Sequence, residues 1–205
     1  MPKSFKIVTL LKLGGDYKEK HVEWLQKQID LPIICITDSK LSMKNVTSIP
    51  LKYDWKGWWC KMEMFRPDLN IGNFLYTDLD TVFLNGMPEE YKELNSTVVL
   101  DDISIVYRDR MNSGFMFIHE RNKEEIWKGF IGDPRAIMDR YRAAGDQGYL
   151  NEYLHHAKKW QELFPGHLAS YKTSAQHGLK GTERVIVFHG KPRPWEVIER
   201  WIPKL

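Results

Sequence analysis

Apolar runs of strand length alternate with amphipathic runs of helix length in the first third of the chain. Four runs rich in β-branched and aromatic residues predict strands, at 5–13, 32–37, 46–51 and 73–77. Residues 17–29 have apolar side chains at helical spacing. A second predicted helix, 56–66, has an apolar face formed by Trp58, Met62 and Phe65. This alternation predicts an α/β domain with a mostly parallel central sheet flanked by helices.

The second half is less regular but continues the alternation. Predicted strands lie at 97–100, 113–118, 167–171 and 185–189, and predicted helices at 123–130 and 146–154. The polar, glycine-containing segment 173–184 predicts a mobile loop. A chain of 205 residues with 42% hydrophobic residues is sufficient for one domain with a substantial core.

Composition narrows the classes of protein that fit. A net charge of +3 is too small to indicate nucleic-acid binding, although it tolerates a polyanionic partner. The two cysteines, Cys35 and Cys60, lie in apolar segments and predict buried free thiols and a reducing compartment. The first residues do not resemble a signal peptide, and no apolar run is long enough to cross a membrane. We therefore expect a cytoplasmic protein without a transmembrane segment.

The most informative motif is the pair Asp78 and Asp80 in the run FLYTDLDTVFL. If the chain is extended there, both carboxylates point to one side and Leu79 to the other. Two carboxylates at the end of a buried strand predict a site for a hard divalent cation. A polar strand end with a turn is the simpler interpretation, but the apolar residues on both sides of the pair weaken it.

Three further motifs and one lysine contain candidate chemistry, and each also has a simpler interpretation. Asn112 and Ser113 form a polar turn into an apolar strand, and Asp146 and Gln147 begin a predicted helix, where Asp146 fits a helix N-cap. Lys61 lies on the polar side of the tryptophan-rich helix, where a solvated lysine is the simpler interpretation.

The third motif, FHGKPRPW, places an imidazole and two cations directly after a predicted strand. His189 can complete a carboxylate metal site, and Lys191 and Arg193 can neutralise a diphosphate. The simpler interpretation is that His189, beside Gly190, is a turn residue.

Four ordered motifs, LYTDLDTV, NSGFMFI, DQGYLN and FHGKPRPW, together resemble those of a nucleotide-sugar glycosyltransferase family with the GT-A fold. The family is the retaining one that includes glycogenin and bacterial lipopolysaccharide galactosyltransferases, and the compact chain is similar to its small bacterial and phage members. The resemblance implies a single GT-A domain over 1–205. Its nucleotide-binding half would be 1–84. Its acceptor half would be 85–205, with a metal- and diphosphate-binding motif near the end.

The resemblance implies a metal-dependent transfer of a sugar, with retention, from a UDP-sugar to an acceptor hydroxyl. Mn²⁺ or Mg²⁺ would be held by Asp78, Asp80 and His189. Gln147 would lie near the reacting face, and Asp146 would orient the sugar. The expected donor-binding residues are Tyr17 and Asp38 at the nucleoside, with Lys61, Asn112, Ser113, Gly190, Lys191 and Arg193.

Some positions depart from the family pattern. His189, Gly190 and Lys191 are adjacent here, so the cation on the diphosphate is either Lys191 or Arg193. Gly148 occupies a position where another aspartate is common.

The acceptor and the function class stay open at this point. A glycan, a protein, a small molecule and a hydroxylated base in DNA all fit. For the last, a cationic rim would be formed by Arg108, Arg110, Arg140, Arg142, Lys172, Lys180 and Arg184. The alternatives to a glycosyltransferase are a nucleotidyltransferase on a related sheet and a non-catalytic nucleotide- or sugar-binding module.

Overall fold

The computed structural model describes residues 5–102 and 110–205. Most of the described strands fall where the sequence predicts them. They are β1 Ile7–Leu11, β2 Ile33–Thr37, β3 Val46–Pro50, β4 Phe74–Thr77, β5 Thr81–Phe83, β6 Val98–Asp101, β7 Met111–Ile118, β8 Lys158–Lys159, β9 Leu168–Ser170 and β10 Val185–Val187. The α-helices are α1 Glu19–Ile29, α2 Lys123–Gly132, α3 Pro134–Arg140, α4 Gly145–Leu154 and α5 Trp160–Leu163.

The central sheet has seven strands in the order β3-β2-β1-β4-β7-β6-β8. Strand β1 pairs in parallel with β2 and β4, and β2 with β3, whereas β7 runs antiparallel to both of its neighbours. The predicted α/β class with a mostly parallel sheet is confirmed. Because β4 and β7 are antiparallel, the end of β4 lies beside the beginning of β7.

Both faces of the central sheet are covered, as the uninterrupted apolar character of its middle strands requires. Along β1, Ile7 and Leu11 pack into the hydrophobic cluster that includes α1, and Val8 and Leu10 pack into the cluster on the other face. The second cluster includes residues of α2 and α4. This layering leaves the carboxyl ends of the parallel strands as an open edge, where ligands collect in such sheets.

A small second sheet of β5, β10 and β9 lies beside this edge. Strand β5 begins directly after Asp80, and β10 ends directly before Phe188 and His189. Because β10 is antiparallel to β5, with Val187 opposite Thr81, the chain after β10 returns to the aspartate pair. The short second sheet was not recognised from the sequence.

The tryptophan-rich segment differs from its prediction. It forms a 3₁₀ helix, Gly57–Phe65, not an α-helix. A 3₁₀ helix has about three residues per turn, so residues at i, i+4 and i+7 do not share one face. Met62 and Phe65 are buried, but Trp58 is 53% exposed, and its assignment to the apolar face is wrong.

Several smaller elements complete the chain. Helices α3 and α5 and strand β8 were not predicted, and short 3₁₀ turns lie at Pro67–Leu69, Glu89–Glu93, Glu120–Asn122, Ala175–His177 and Pro194–Glu196. The predicted loop 173–184 contains one of these turns and is braced by buried Glu183, which accepts the backbone N–H groups of Lys180 and Gly181. Cys35 and Cys60 are buried free thiols, as predicted. Among the described residues, no helix combines the length and the apolar character that a membrane span requires.

Candidate functional site

A cavity of about 820 Å³ opens at the carboxyl ends of β1 and β4. Its walls come from the turn after β1, the 3₁₀ helix Gly57–Phe65, the turn after β4, the first residues of β7 and α4, and the segment after β10. This volume is typical of pockets for small molecules and cofactors. The fold therefore brings all four sequence motifs to one place.

The two aspartates follow β4 in a turn. The strand ends at Thr77, and the N–H of Thr81 donates to the carbonyl of Asp78 (3.2 Å). The expected alternation of an extended chain is therefore not what orients Asp78 and Asp80. Both nevertheless line the cavity, because the turn leads directly into β5.

Asp78 is held by two neighbours with complementary chemistry. The hydroxyl of Tyr76 donates to its Oδ1 (2.6 Å), and Lys61 Nζ lies 3.0 Å from the same atom. Gly114 allows a close approach from β7, because a Cβ on it would lie 3.0 Å from Asp78 Oδ2. The carbonyl of Gly114 also accepts the Asp78 N–H (2.9 Å). The glycine of the NSG motif thus fits the backbone against this carboxylate.

Lys61 is a buried member of the site, and its interpretation as a solvated lysine is wrong. Its side chain is 13% exposed, and its Nζ also lies 3.7 Å from Asp146 Oδ2. Burial lowers the pKa of Lys61, but the charges of Asp146 and Asp78 together raise it by more than burial lowers it. The pKa of Lys61 therefore lies above its ordinary value. Lys61 is therefore a fixed positive charge between two carboxylates.

Asp146 lies in the first turn of α4, inside the helix rather than at its N-cap, where Ala144 stands. The N-cap interpretation is therefore wrong. The buried carboxylate of Asp146 accepts a hydrogen bond from Ser113 Oγ (2.7 Å). Burial raises the pKa of Asp146, and the charge of Lys61 opposes the shift.

Asp80 is almost fully buried, with a side chain that is 3% exposed. It accepts hydrogen bonds from the hydroxyl of Tyr17 (2.8 Å) and from Arg193. Arg193 also reaches Asp16 (3.2 Å) and lies over the ring of Tyr17, 4.8 Å from its centre. Burial and the charge of Asp78 raise the pKa of Asp80 to about 6, against the effect of Arg193.

We call five charged side chains of the cavity the charged floor: the buried Asp80 and Asp146, the largely buried Lys61 and Arg193, and Asp78, whose side chain is 29% exposed. Each carboxylate in it has a cation within ion-pair distance. An unpaired buried charge would cost several kcal/mol, so this pairing explains how three acids coexist in so small a volume.

His189 lines the cavity beside the floor, but its Nε2 lies 2.8 Å from the hydroxyl of Ser170. Burial and the charge of Lys172 lower the pKa of this imidazole, which favours the neutral ring. Within 5–102 and 110–205, no group of three or more His, Cys, Asp or Glu side chains is gathered closely enough to hold a metal ion. Asp78, Asp80 and His189 are thus not assembled as one ligand set. The two carboxylates by themselves still fit a hard divalent cation.

Two predicted donor-binding residues lie outside the cavity lining. Asp38 accepts the N–H of Leu13 (2.9 Å) and pairs with Lys12 (3.5 Å), so it braces the turn after β1. Lys191 is exposed and pairs with Glu196. Of the two cations in FHGKPRPW, only Arg193 belongs to the cavity lining.

The other predicted residues are in place around the floor. Tyr17, Asn112, Ser113, Gln147 and Gly190 line the cavity. Asn112 Oδ1 accepts the Gly114 N–H (2.8 Å), which fixes the beginning of β7.

The described members of the proposed cationic rim lie outside the cavity lining. Of its members, Arg108 lies outside the described residues. The others do not line the cavity: they are Arg110, Arg140, Arg142, Lys172, Lys180 and Arg184. Arg140, for example, lies near Glu152 (3.6 Å) and over the ring of Tyr141.

Sequence reasoning missed several contributors. Tyr76, Asp16 and Ser170 each contact a predicted site residue, and Trp58 lies at the cavity surface. Gly114 could have been identified from the sequence, because it is the glycine of the NSG motif. Asp16 and Ser170 had no such signal, because their partners lie 177 and 19 residues away in the chain.

Comparison with known proteins finds solved structures with a similar fold but no protein with a similar sequence. No family model and no curated protein matches the chain. The glycosyltransferase GlyE of Streptococcus pneumoniae superposes with a TM-score of 0.66 at 14% identity, covering 94% of this chain and 56% of GlyE. The galactosyltransferase LgtC, solved with donor and acceptor sugar analogues, superposes with a TM-score of 0.62 at 11% identity, covering 93% of this chain and 89% of LgtC. The chain therefore spans little more than half of GlyE and shares with both proteins a GT-A-like fold.

Proposed function

We propose that this protein is a glycosyltransferase that moves a sugar from a nucleoside diphosphate sugar, with UDP as the carrier, to an acceptor hydroxyl. One observation carries the proposal. Asp78 and Asp80, at the end of a central strand of a GT-A-like fold, share a cavity with two fixed cations. This is the combination that a doubly charged leaving group and a polar sugar need together.

The diphosphate belongs at the Arg193 end of the charged floor. Arg193 presents a planar guanidinium that can bind two phosphate oxygens at once. Its present partners, Asp16 and Asp80, hold it at the cavity wall. Tyr17, which lies under the guanidinium, is the proposed neighbour of the base.

The carboxylate pair fits Mn²⁺ or Mg²⁺, and such a cation on Asp78 and Asp80 would add positive charge at the leaving diphosphate. Arg193 supplies charge to the same oxygens from the protein itself. We propose His189 as a neighbour of this end of the site, held in position by Ser170.

The sugar lies over Asp78, Lys61 and Asp146, whose oxygen and nitrogen atoms can bind its hydroxyls. Asp146 is suited to orienting a hydroxyl because Ser113 and Lys61 fix its carboxylate. Gln147 lies next to it, and an amide is a poor nucleophile. We therefore propose that no covalent glycosyl-enzyme forms.

In the proposed reaction the acceptor hydroxyl attacks the anomeric carbon from the face that the diphosphate leaves. The bond from the anomeric carbon to the phosphate oxygen breaks as the new glycosidic bond forms. The proton of the hydroxyl passes to the leaving phosphate. The configuration of the donor is retained.

The direct test is release of UDP from UDP-glucose, UDP-galactose and their N-acetylated forms, measured with Mn²⁺ and with candidate acceptors. We expect turnover with at least one donor and a product with the donor's anomeric configuration by NMR. Pyrophosphate release from a nucleoside triphosphate and a sugar phosphate would instead indicate a nucleotidyltransferase. Tight UDP-sugar binding with no turnover under any condition would indicate a binding module.

A further inference from the structure

The cavity has an apolar rim, which we define as Leu13, Gly57, Trp58, Ala143 and Ala144. Leu13 and Trp58 are two of the large hydrophobic side chains that stand exposed among the described residues. Isolated exposed apolar residues need no explanation, but both of these side chains line the cavity, so they give a ligand in the cavity an accessible apolar surface.

Trp58 is seated on Gly145, the first residue of α4. A Cβ on Gly145 would lie 2.3 Å from Trp58 Nε1, a separation that atoms cannot reach. Gly145 also has a positive φ of 64°, which favours glycine. The indole is therefore held at this place by a backbone that no other residue type would fit without a shift.

The contacts define an order across the cavity. Arg193 touches Asp80 at one end, and Lys61 bridges Asp78 and Asp146 in the middle. Trp58 contacts Gly145, the residue next to Asp146. Trp58 thus lies at the Asp146 side of the charged floor, while the proposed diphosphate position lies at the Arg193 side.

We infer that Trp58 is the platform on which the acceptor lies, and that the acceptor is a pyranoside. This inference rests on the proposed function. A pyranose ring has a face of C–H groups, which an indole can cover, and a periphery of hydroxyls, which need hydrogen-bond partners. Gln147 and Asp146 supply such partners within the same cavity.

A polynucleotide acceptor fits this end of the cavity less well. Its phosphates would meet Asp78 and Asp146, and the described members of the cationic rim do not line the cavity. The chemistry at the mouth therefore selects a neutral, hydroxylated ring.

The first test measures binding without turnover. Saturation-transfer NMR with methyl glucoside, methyl galactoside and lactose, in the presence of UDP and Mn²⁺, should show saturation of ring C–H protons for at least one glycoside. Trp58→Ala should remove that signal and Trp58→Phe should keep part of it. Ile198→Ala, at a fully exposed apolar position away from the cavity, should not change it. Equal signals in Trp58→Ala and the natural protein would overturn the inference.

The second test uses the rate of UDP release stimulated by the best glycoside. Trp58→Ala should raise the KM for the glycoside about tenfold, which corresponds to loss of roughly 1.4 kcal/mol of binding, while the KM for the donor stays within about twofold. A peptide or a hydroxylated oligonucleotide that stimulates release where no glycoside does would refute the carbohydrate assignment. If no donor is turned over at all, the proposed function is refuted, regardless of the NMR result.

Discussion

The charged floor and the apolar rim of one cavity are built in opposite ways. The floor consists of buried and partly buried side chains that are held by ion pairs and hydrogen bonds between the turn after β4, the 3₁₀ helix Gly57–Phe65, β7, α4 and the C-terminal segment. The rim consists of small residues and exposed apolar side chains, with one indole seated on a glycine.

The contrast separates two tasks in the proposed reaction. Binding a diphosphate and a charge-separated transition state requires fixed charges that are already paired, because ordering them during the reaction would cost free energy. Receiving an acceptor requires an accessible surface that is covered only when the acceptor binds. The floor should therefore govern the chemical step and the rim should govern which acceptor is used.

The largest effect is expected from the carboxylate pair. Asp78→Asn and Asp80→Asn should each lower turnover by about a thousandfold or more, since each removes a carboxylate that would hold the proposed cation at the leaving diphosphate. Asp54→Asn is the matched control, because Asp54 is an exposed aspartate that does not itself line the cavity, although its partner Lys12 does. Near-normal turnover in either floor variant, with purified donor and Mn²⁺, would refute the role of the floor.

Gln147→Ala should have a moderate effect. If the leaving phosphate takes the proton, the substitution should slow transfer by a factor of about ten to a thousand, the usual range for one lost hydrogen bond to a developing charge. Loss of all measurable transfer would instead favour a covalent role. NMR of the product should show the donor's configuration, and an inverted product would turn attention to Asp146 as a base.

Arg193 and Lys191 form an internal matched pair, two residues apart and differing in whether they line the cavity. Arg193→Gln should raise the KM for the donor by about thirty- to a hundredfold, because a charge-assisted hydrogen bond contributes roughly 2–3 kcal/mol. Lys191→Gln should change it by less than about twofold. The reverse order would assign the diphosphate to Lys191.

His189→Ala distinguishes a metal-linked role from a structural one. We expect UDP binding by calorimetry to weaken about tenfold with Mn²⁺ present, roughly the free energy of one lost polar contact, and to change little without it. Ser170→Ala, which removes the partner of the imidazole, should reproduce part of the loss. An equal loss in metal-free buffer would make His189 a structural residue.

The sequence could predict much of the floor because most of its residues lie in regular elements or directly after them. The strand before Asp78, the strand that contains Ser113, the helix that contains Asp146 and the strand before His189 all have clear apolar patterns. The carboxyl ends of β4 and β10 and the first residues of β7 and α4 meet at one sheet edge, so ordered motifs were enough to bring the residues together. Partners within the floor, such as the pairing of Lys61 with Asp146, depend on packing between distant segments and could not be read from the sequence.

The rim could not be predicted for a related reason. Helical spacing placed Trp58 on a buried face, but the segment folds as a 3₁₀ helix with a different period. The opposite error concerns Asp38 and Lys191, which were expected to bind the donor but do not line the cavity. Each follows a predicted strand at the right edge, yet Asp38 pairs with Lys12 and Lys191 pairs with Glu196.

The central claim, that the charged floor binds a nucleoside diphosphate, is tested most directly by thermal shift with uridine, UMP and UDP, each with and without Mn²⁺. We expect stabilisation to increase from uridine to UDP, to be largest with Mn²⁺, and to be lost in Asp80→Asn but not in Asp54→Asn. Equal shifts for uridine and UDP, or a UDP shift that Asp80→Asn leaves intact, would contradict the account.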